Sequence, residues 1–305
     1  MTGTPQKTIL STADIARLFN VTETTVKRWA DEGMLKCQKT PGGHRKFEIR
    51  SIVEFAEKNN FEPAGVLDIP ADDGTAQRIQ LAILNRDFPE LVSAFVSKAL
   101  TLDGTDLFLL LSYLYQHRLQ LWEMFDEIVC PGMVEVGERW VRGETSVCHE
   151  HRASYATLTA LAKLQAQILI KPGTGHSAVL ACVGDELHEI GLRCASCVLE
   201  SEGWNVTYLG ARIPAVAVTT AINDLKPTMV GLSITKAPYE DHVEESVHTI
   251  AAAAHEAHAL VFLGGRSAAS LGLCDGEVDH ILTSCHELLH AVDHLNVKPV
   301  HAKEQ

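Results

Sequence analysis

The chain has 305 residues, 46% of them apolar and 21% charged, which is enough for two or three domains with cores of their own. No apolar run approaches a membrane span, the polar stretch Met1 to Lys7 lacks the apolar segment of a signal peptide, and eight cysteines without framework spacing read as reduced thiols; a cytoplasmic protein without membrane contact is expected. The formal charge of −13 is uneven: residues 1–60 hold ten Lys/Arg against seven Asp/Glu, a net +3, leaving −16 for the remainder, so only the head suits a polyanion.

Within residues 8–58, Ser11 is a good N-cap for a short helix whose apolar face is Ile15, Ala16, Leu18 and Phe19. Asn20-Val21 makes a tight turn, Thr22 caps a second helix from Glu23 to Glu32, and Gly33 ends it. Thr40-Pro41-Gly42-Gly43-His44-Arg45-Lys46-Phe47 then supplies a hairpin turn and an exposed basic strand, followed by a third helix from about Arg50 to Asn59. This order resembles the winged helix-turn-helix DNA-binding domain of the MerR family. The resemblance implies that Thr24, Thr25, Lys27 and Arg28 face the major groove of operator DNA, and that His44, Arg45 and Lys46 on the wing meet phosphates or the minor groove. Trp29 is expected to pack between helices. The long coiled coil by which MerR proteins usually pair is absent from the sequence.

Residues 61–75, with two prolines, two glycines and four acids, read as a flexible linker. Residues 76–172 are helical in pattern, with helices near 76–86, 88–101, 105–139 and 145–170. The long third one breaks near His117 or near Pro131-Gly132, and a four-helix bundle is expected. Trp140 is followed by nine residues and then Glu150-His151, and a helix-to-helix turn between them brings the three to one rim of the bundle. His149 and His151 at i, i+2 on a helix point apart, a poor zinc pair.

Residues 173–305 alternate strand and helix: strands near 178–183, 205–209, 229–235, 260–263 and 279–282, helices near 190–202, 214–225, 239–258, 266–273 and 285–294. This is an α/β doubly wound, Rossmann-like sheet. The loop Gly184-Asp185-Glu186-Leu187-His188-Glu189-Ile190-Gly191 leaves the end of the first strand, where such sheets bind ligands. An imidazole at His188 can offer one nitrogen to a metal while Glu186 fixes the other. Between Gly191 and Ser233-Ile234-Thr235 stand 41 residues, and between Thr235 and Gly264-Gly265 stand 28. Cys194-x-x-Cys197 reads as small core residues, and His286, His290 and His294, like His242, His248, His255 and His258, read as surface histidines.

The Glu-x-His-x-x-Gly loop, the Ser-x-Thr and the Gly-Gly, at these spacings, resemble the cobalamin-binding domain of B12-dependent mutases, methionine synthase and their sensor relatives, with Thr235 where leucine is usual. The resemblance implies His188 as the lower axial cobalt ligand, tuned by Glu186. It also implies Ser233 on the dimethylbenzimidazole tail and Gly264 and Gly265 clearing a slot for that tail; Gly191, without a Cβ, lets backbone or a large ligand come close.

The full order of head, helical region with the Trp140, Glu150, His151 signature, and cobalamin domain resembles the CarH-type B12 photoreceptors. That implies a non-enzymatic, light-responsive repressor holding adenosylcobalamin. Trp140 lies over the upper face and Glu150 and His151 against the adenosyl group; a dark tetramer on the operator is released when light cleaves the Co–C bond. Some members have a histidine directly after the tryptophan. Here it is Val141, so the lit-state ligand could be His149, His151, water or none. A regulator of B12 supply without a light response, or a corrinoid methyl carrier, are the alternatives.

Overall fold

The computed structural model describes residues 9–19, 21–40, 42–48, 51, 55, 59, 75–101, 104–117, 119–235, 242–273 and 276–296. The linker, apart from Thr75, lies outside them, as does most of the third helix expected in the head. The chain divides into two compact units, residues 1–91 and 92–305.

The first unit opens with β1 (Ile9–Ser11), α1 (Thr12–Leu18), α2 (Glu23–Asp31), β2 (Gln38–Lys39) and β3 (Arg45–Glu48). Thr22 caps α2 as its residue type predicts: its hydroxyl accepts the N–H of Thr25 at 3.2 Å. Burying Ile15, Phe19, Val26, Trp29, Leu35, Phe47 and Phe55 makes one small core. Trp29 is edge-on to Phe19 at 6.0 Å and tilted on Phe55 at 4.9 Å, so its place between the elements follows from aromatic packing. The hairpin is closed by Thr40 N–H to His44 O and Gly43 N–H to Thr40 O. Its second strand also pairs with β1 in a three-stranded antiparallel sheet, an edge that the short Ile-Leu-Ser run did not announce. Helix α3 (Thr75–Asn85) completes the unit, and α4 (Phe88–Ala99) begins in it.

The second unit continues with α5 (Gly104–Gln116), α6 (Leu121–Met124), a π-helical turn (Phe125–Val129), α7 (Cys130–Val141) and α8 (Val147–Gln165). Of the two breaks the sequence allows, the chain takes the one at His117, whose ring bonds Tyr113 O at 2.8 Å and stacks on Tyr113. At Pro131-Gly132 the helix runs on. Pro131 lacks an N–H, and the π turn just before it absorbs the mismatch. Gly132 serves packing, since a Cβ there would lie 2.3 Å from Phe95 Cδ1. Helix α8 packs on α5 and α7.

The α/β part is a five-stranded parallel sheet, in the order β5 (Asn205–Ile213), β4 (Ser177–Val183), β6 (Met229–Ser233), β7 (Leu260–Gly264), β8 (His280–Leu282). Helices α9 (Ile190–Ser201) and α12 (Cys285–Asn296) cover one face; α10 (Ala215–Leu225) and α11 (His242–Glu256) cover the other. Strand β4 shows why its sequence is apolar throughout. Val179, Ala181 and Val183 enter the core under α10 and α11, while Ala178, Leu180 and Cys182 enter the one under α9 and α12. The expected helix at 266–273 is only a 3₁₀ turn, Ala268–Ser270.

The ties between the helical part and the sheet include the following. Helix α8 packs against α9, where Gln165 bonds Glu200. Asp126, in the π turn, caps α12 by accepting the N–H groups of Cys285 at 2.8 Å and His286 at 2.9 Å. Cys194 and Cys197 are both fully buried, as the reading of small core residues expects. None of the described helices is long and apolar enough to cross a membrane.

Candidate functional site

Counted from the first strand of the α/β part, the sheet order is 2-1-3-4-5, which reverses direction between β4 and β6 and opens a crevice at their carboxyl ends. The register fills that crevice: Cys182 pairs with Ser233, and Ser233 with Gly264. Ser233 and Gly264 therefore stand side by side at the strand ends, next to the strand that feeds the 184–191 loop.

Glu186 organises the loop from below. Its carboxylate is buried, and one oxygen accepts both the backbone N–H of His188 at 2.7 Å and His188 Nδ1 at 2.6 Å. The other oxygen accepts the N–H of Thr235 at 2.7 Å, across the switch point. The His188 side chain is 57% exposed, and with Nδ1 turned to Glu186 any metal bond would go through Nε2. Burial pushes the Cys182 thiol up to about 12, with help from the Glu186 and Glu189 carboxylates, so the sulfur beneath His188 O is a neutral thiol at 3.9 Å. Gly191, on the first turn of α9, is exposed, and a Cβ there would meet nothing within 4 Å. A large ligand lying over His188 would find that side clear.

The two glycines of the pair differ in their surroundings. At Gly265 φ is +101°, and a Cβ would lie 2.3 Å from Ile234 O; the chain's own backbone needs this glycine where the loops after β6 and β7 cross. Gly265→Ala is expected to cost stability of about 1–3 kcal/mol or more, read as a lower denaturant midpoint with an unchanged slope. An unshifted midpoint would contradict the crossing.

Sequence reasoning also missed a flanking cluster. The Tyr208 hydroxyl donates to Glu189 Oε2 at 2.7 Å, and the Arg193 guanidinium lies 3.6 Å over the Tyr208 ring. Burial and the Glu189 carboxylate raise the Tyr208 phenol. Tyr208 lies nineteen positions after Glu189, so no local pattern could have paired them.

In the helical part, α7 and α8 form an antiparallel hairpin whose tip carries Trp140, next to last in α7, and Glu150 and His151, on the first turns of α8. Trp140 is 48% exposed. The Glu150 carboxylate accepts from Ser154 Oγ at 2.9 Å and bonds His151 Nδ1 at 2.7 Å, so acid and imidazole are already joined. Val141 is 79% exposed. Arg142 and Arg139 pair with Glu135, and Arg142 also with Glu144, fixing the turn.

On the head, α2 exposes Thr24, Lys27 and Arg28, and Thr25 is half-buried. His44 is exposed and Lys46 half-buried. Arg45 is paired within the head. Its guanidinium grips both carboxylate oxygens of Asp31 at 2.6 and 2.7 Å, and its side chain is only 17% exposed. It braces the hairpin to α2 instead of reaching out, and this pairing holds the Asp31 carboxyl below its ordinary value. Among the described residues no group of three or more His, Cys, Asp or Glu gathers to hold a metal ion.

Comparison with known proteins matches a helix-turn-helix domain over residues 9–60 and two distinct B12 binding domains over 77–165 and 176–282. The HTH-type transcriptional repressor CarH of Myxococcus xanthus is 36% identical over 123 residues, 40% of each chain, so that match spans about two fifths of the relative's length. The HTH-type transcriptional repressor CarA of the same organism is 27% identical over 231 residues, 73% of this chain and 75% of that one. The monomethylamine corrinoid protein of Methanosarcina barkeri superposes with a TM-score of 0.52 at 14% identity, covering 69% of this chain and 99% of its own, a likeness of fold alone. The chain thus combines a helix-turn-helix domain with two B12 binding domains, and it is similar to the transcriptional repressors CarH and CarA.

Proposed function

We propose that the protein is a light-released repressor that holds adenosylcobalamin between its helical and α/β parts and binds operator DNA as an oligomer in the dark. The observation that carries this reading is the Glu186–His188 pair: an exposed imidazole with its tautomer fixed from below, at the switch point, beside Ser233, Gly264 and an unobstructed Gly191. The donor set suits one axial nitrogen ligand to a metal that arrives within its own macrocycle. When bound, adenosylcobalamin supplies a light-cleavable cobalt–carbon bond, chemistry that belongs to the cofactor. In this reading His188 would hold the cobalt and Ser233 the nucleotide tail, while Trp140, Glu150 and His151 would hold the adenosyl group.

The working boundaries are a winged head at 1–60, a linker at 61–75, a four-helix bundle at 76–172 and the cobalamin domain at 173–305. The head reads bases through Thr24, Thr25, Lys27 and Arg28, with His44 and Lys46 on the backbone. Trp140, Glu150 and His151 would lose their partner on illumination, and the oligomer that pools several weak heads would come apart. No catalytic step is assigned; a methyl carrier would have no use for the DNA-binding head.

Val141 supports a second reading, a sensor of B12 supply, because it stands exposed where an imidazole could have capped cobalt after photolysis. Operator binding with adenosylcobalamin, in darkness and after green light at fixed salt, separates the two. Tight binding in the dark and release on illumination is expected; equal binding in both would favour the supply sensor.

A further inference from the structure

Helix α12 carries His286, His290 and His294 at i, i+4 and i+8, a face the proposed function does not use. The structure brings two of them together: His286 Nε2 and His290 Nε2 are 3.1 Å apart, with ring centroids at 4.5 Å and planes at 73°. Both residues are exposed. The helix start that bears them is fixed, because Asp126 accepts the N–H groups of Cys285 and His286 and the Trp122 ring lies against His286 at 4.2 Å. The neighbouring carboxylate of Glu287 is committed to the N–H and hydroxyl of Thr283.

We infer that His286 and His290 form a two-imidazole site for a borderline divalent transition ion such as Ni²⁺, Zn²⁺ or Cu²⁺, with water completing the coordination. Two bonds of about 2.0–2.1 Å meeting at right to tetrahedral angles put their nitrogens ~2.9–3.4 Å apart, and the observed 3.1 Å falls within that range. Neutral imidazoles this close share one proton in an N–H···N bond. Metal binding needs both Nε2 lone pairs, so that proton moves to Nδ1 of its own ring or to solvent. Imidazole pairs suit nickel, zinc and copper; Mg²⁺, which takes oxygen ligands, gains nothing from them. The Trp122 ring limits how His286 can turn, so little side-chain freedom remains to be lost on binding. This site is independent of the cobalamin reading.

The test is calorimetric titration of the full-length, tag-free chain, without added cobalamin, with Ni²⁺ and separately with Mg²⁺. One Ni²⁺ per chain at a leading site, and no response to Mg²⁺, is expected. His290→Ala, at an exposed position away from the Trp122 contact, should weaken that leading site by at least the ~10–100-fold that loss of an outer partner costs elsewhere. His294→Ala should leave it unchanged. A wild-type chain that takes no Ni²⁺, a His290→Ala variant that binds as wild type does, or an equal response to Mg²⁺ overturns the assignment.

Discussion

Replacing His188 with Ala is expected to abolish tight cobalamin binding while leaving the cobalamin-free fold intact. The side chain is more than half exposed and bonds Glu186, so its removal opens no cavity in the core. Surface changes of that kind usually fall within about 0.5 kcal/mol of stability. Glu186→Ala should behave differently. It removes an outer partner, for which ~10–100-fold in affinity is typical, and it strands the N–H groups of His188 and Thr235, which it otherwise satisfies. A buried donor left without an acceptor costs about 1–3 kcal/mol, so this variant should lose both affinity and thermal stability. The pair of variants distinguishes ligation from scaffolding. The measurement is the cobalamin absorbance that travels with the protein on gel filtration, beside a melting curve of each cobalamin-free variant. A His188→Ala protein with native occupancy and an unchanged spectrum would remove the lower ligand from the proposal.

The strands around that site were legible because a strand buried on both faces must be an apolar run. Val179 to Val183 could hardly be anything else, and the turn residues after it put the 184–191 loop at the sheet's carboxyl end. Register then does what spacing only suggests, setting Ser233 beside Gly264. Contacts between distant stretches were not legible. Nothing local announces that Thr235 N–H closes on Glu186, that Tyr208 holds Glu189, or that Arg45 turns inward to Asp31. A basic residue on an exposed hairpin looks the same in sequence whether it meets a phosphate or a carboxylate on the next helix. Glycine is opaque for a related reason. Gly265 and Gly264 are identical letters, yet a Cβ at Gly265 would collide with Ile234 O, whereas one at Gly264 would rest in ordinary contact, 3.6 Å from Leu282 O. Pro131 would have ended an ordinary helix, and the π turn that lets the chain pass it has no sequence signature of its own.

Trp140→Ala is expected to leave folding unchanged and to remove most of the dark-state operator affinity. An indole that is 48% exposed beside Val141 at 79% is a poor choice for stability alone, because large apolar side chains in water contribute little to the fold and invite association. The turn that presents it is nonetheless rigidly made, with Arg142 holding Glu135, Glu138 and Glu144 together. The joined Glu150–His151 pair stands at the same end of the hairpin. An expensive surface held in a fixed shape suggests a face completed by a ligand. If Trp140 roofs the adenosyl group, truncating it should still permit cobalamin uptake through His188 but should loosen the dark arrangement that binds the heads together. Linking weak heads raises apparent affinity by roughly 10²–10⁴ without any new DNA contact, so the variant's dark affinity should fall by about that much. It should approach the value of the illuminated wild type and then change little on illumination. Fluorescence anisotropy on an operator fragment at one salt concentration reads this directly, since head contacts and their salt dependence are untouched. A Trp140→Ala protein that binds in darkness and lets go in light as the wild type does would mean that the hairpin tip has no part in the switch.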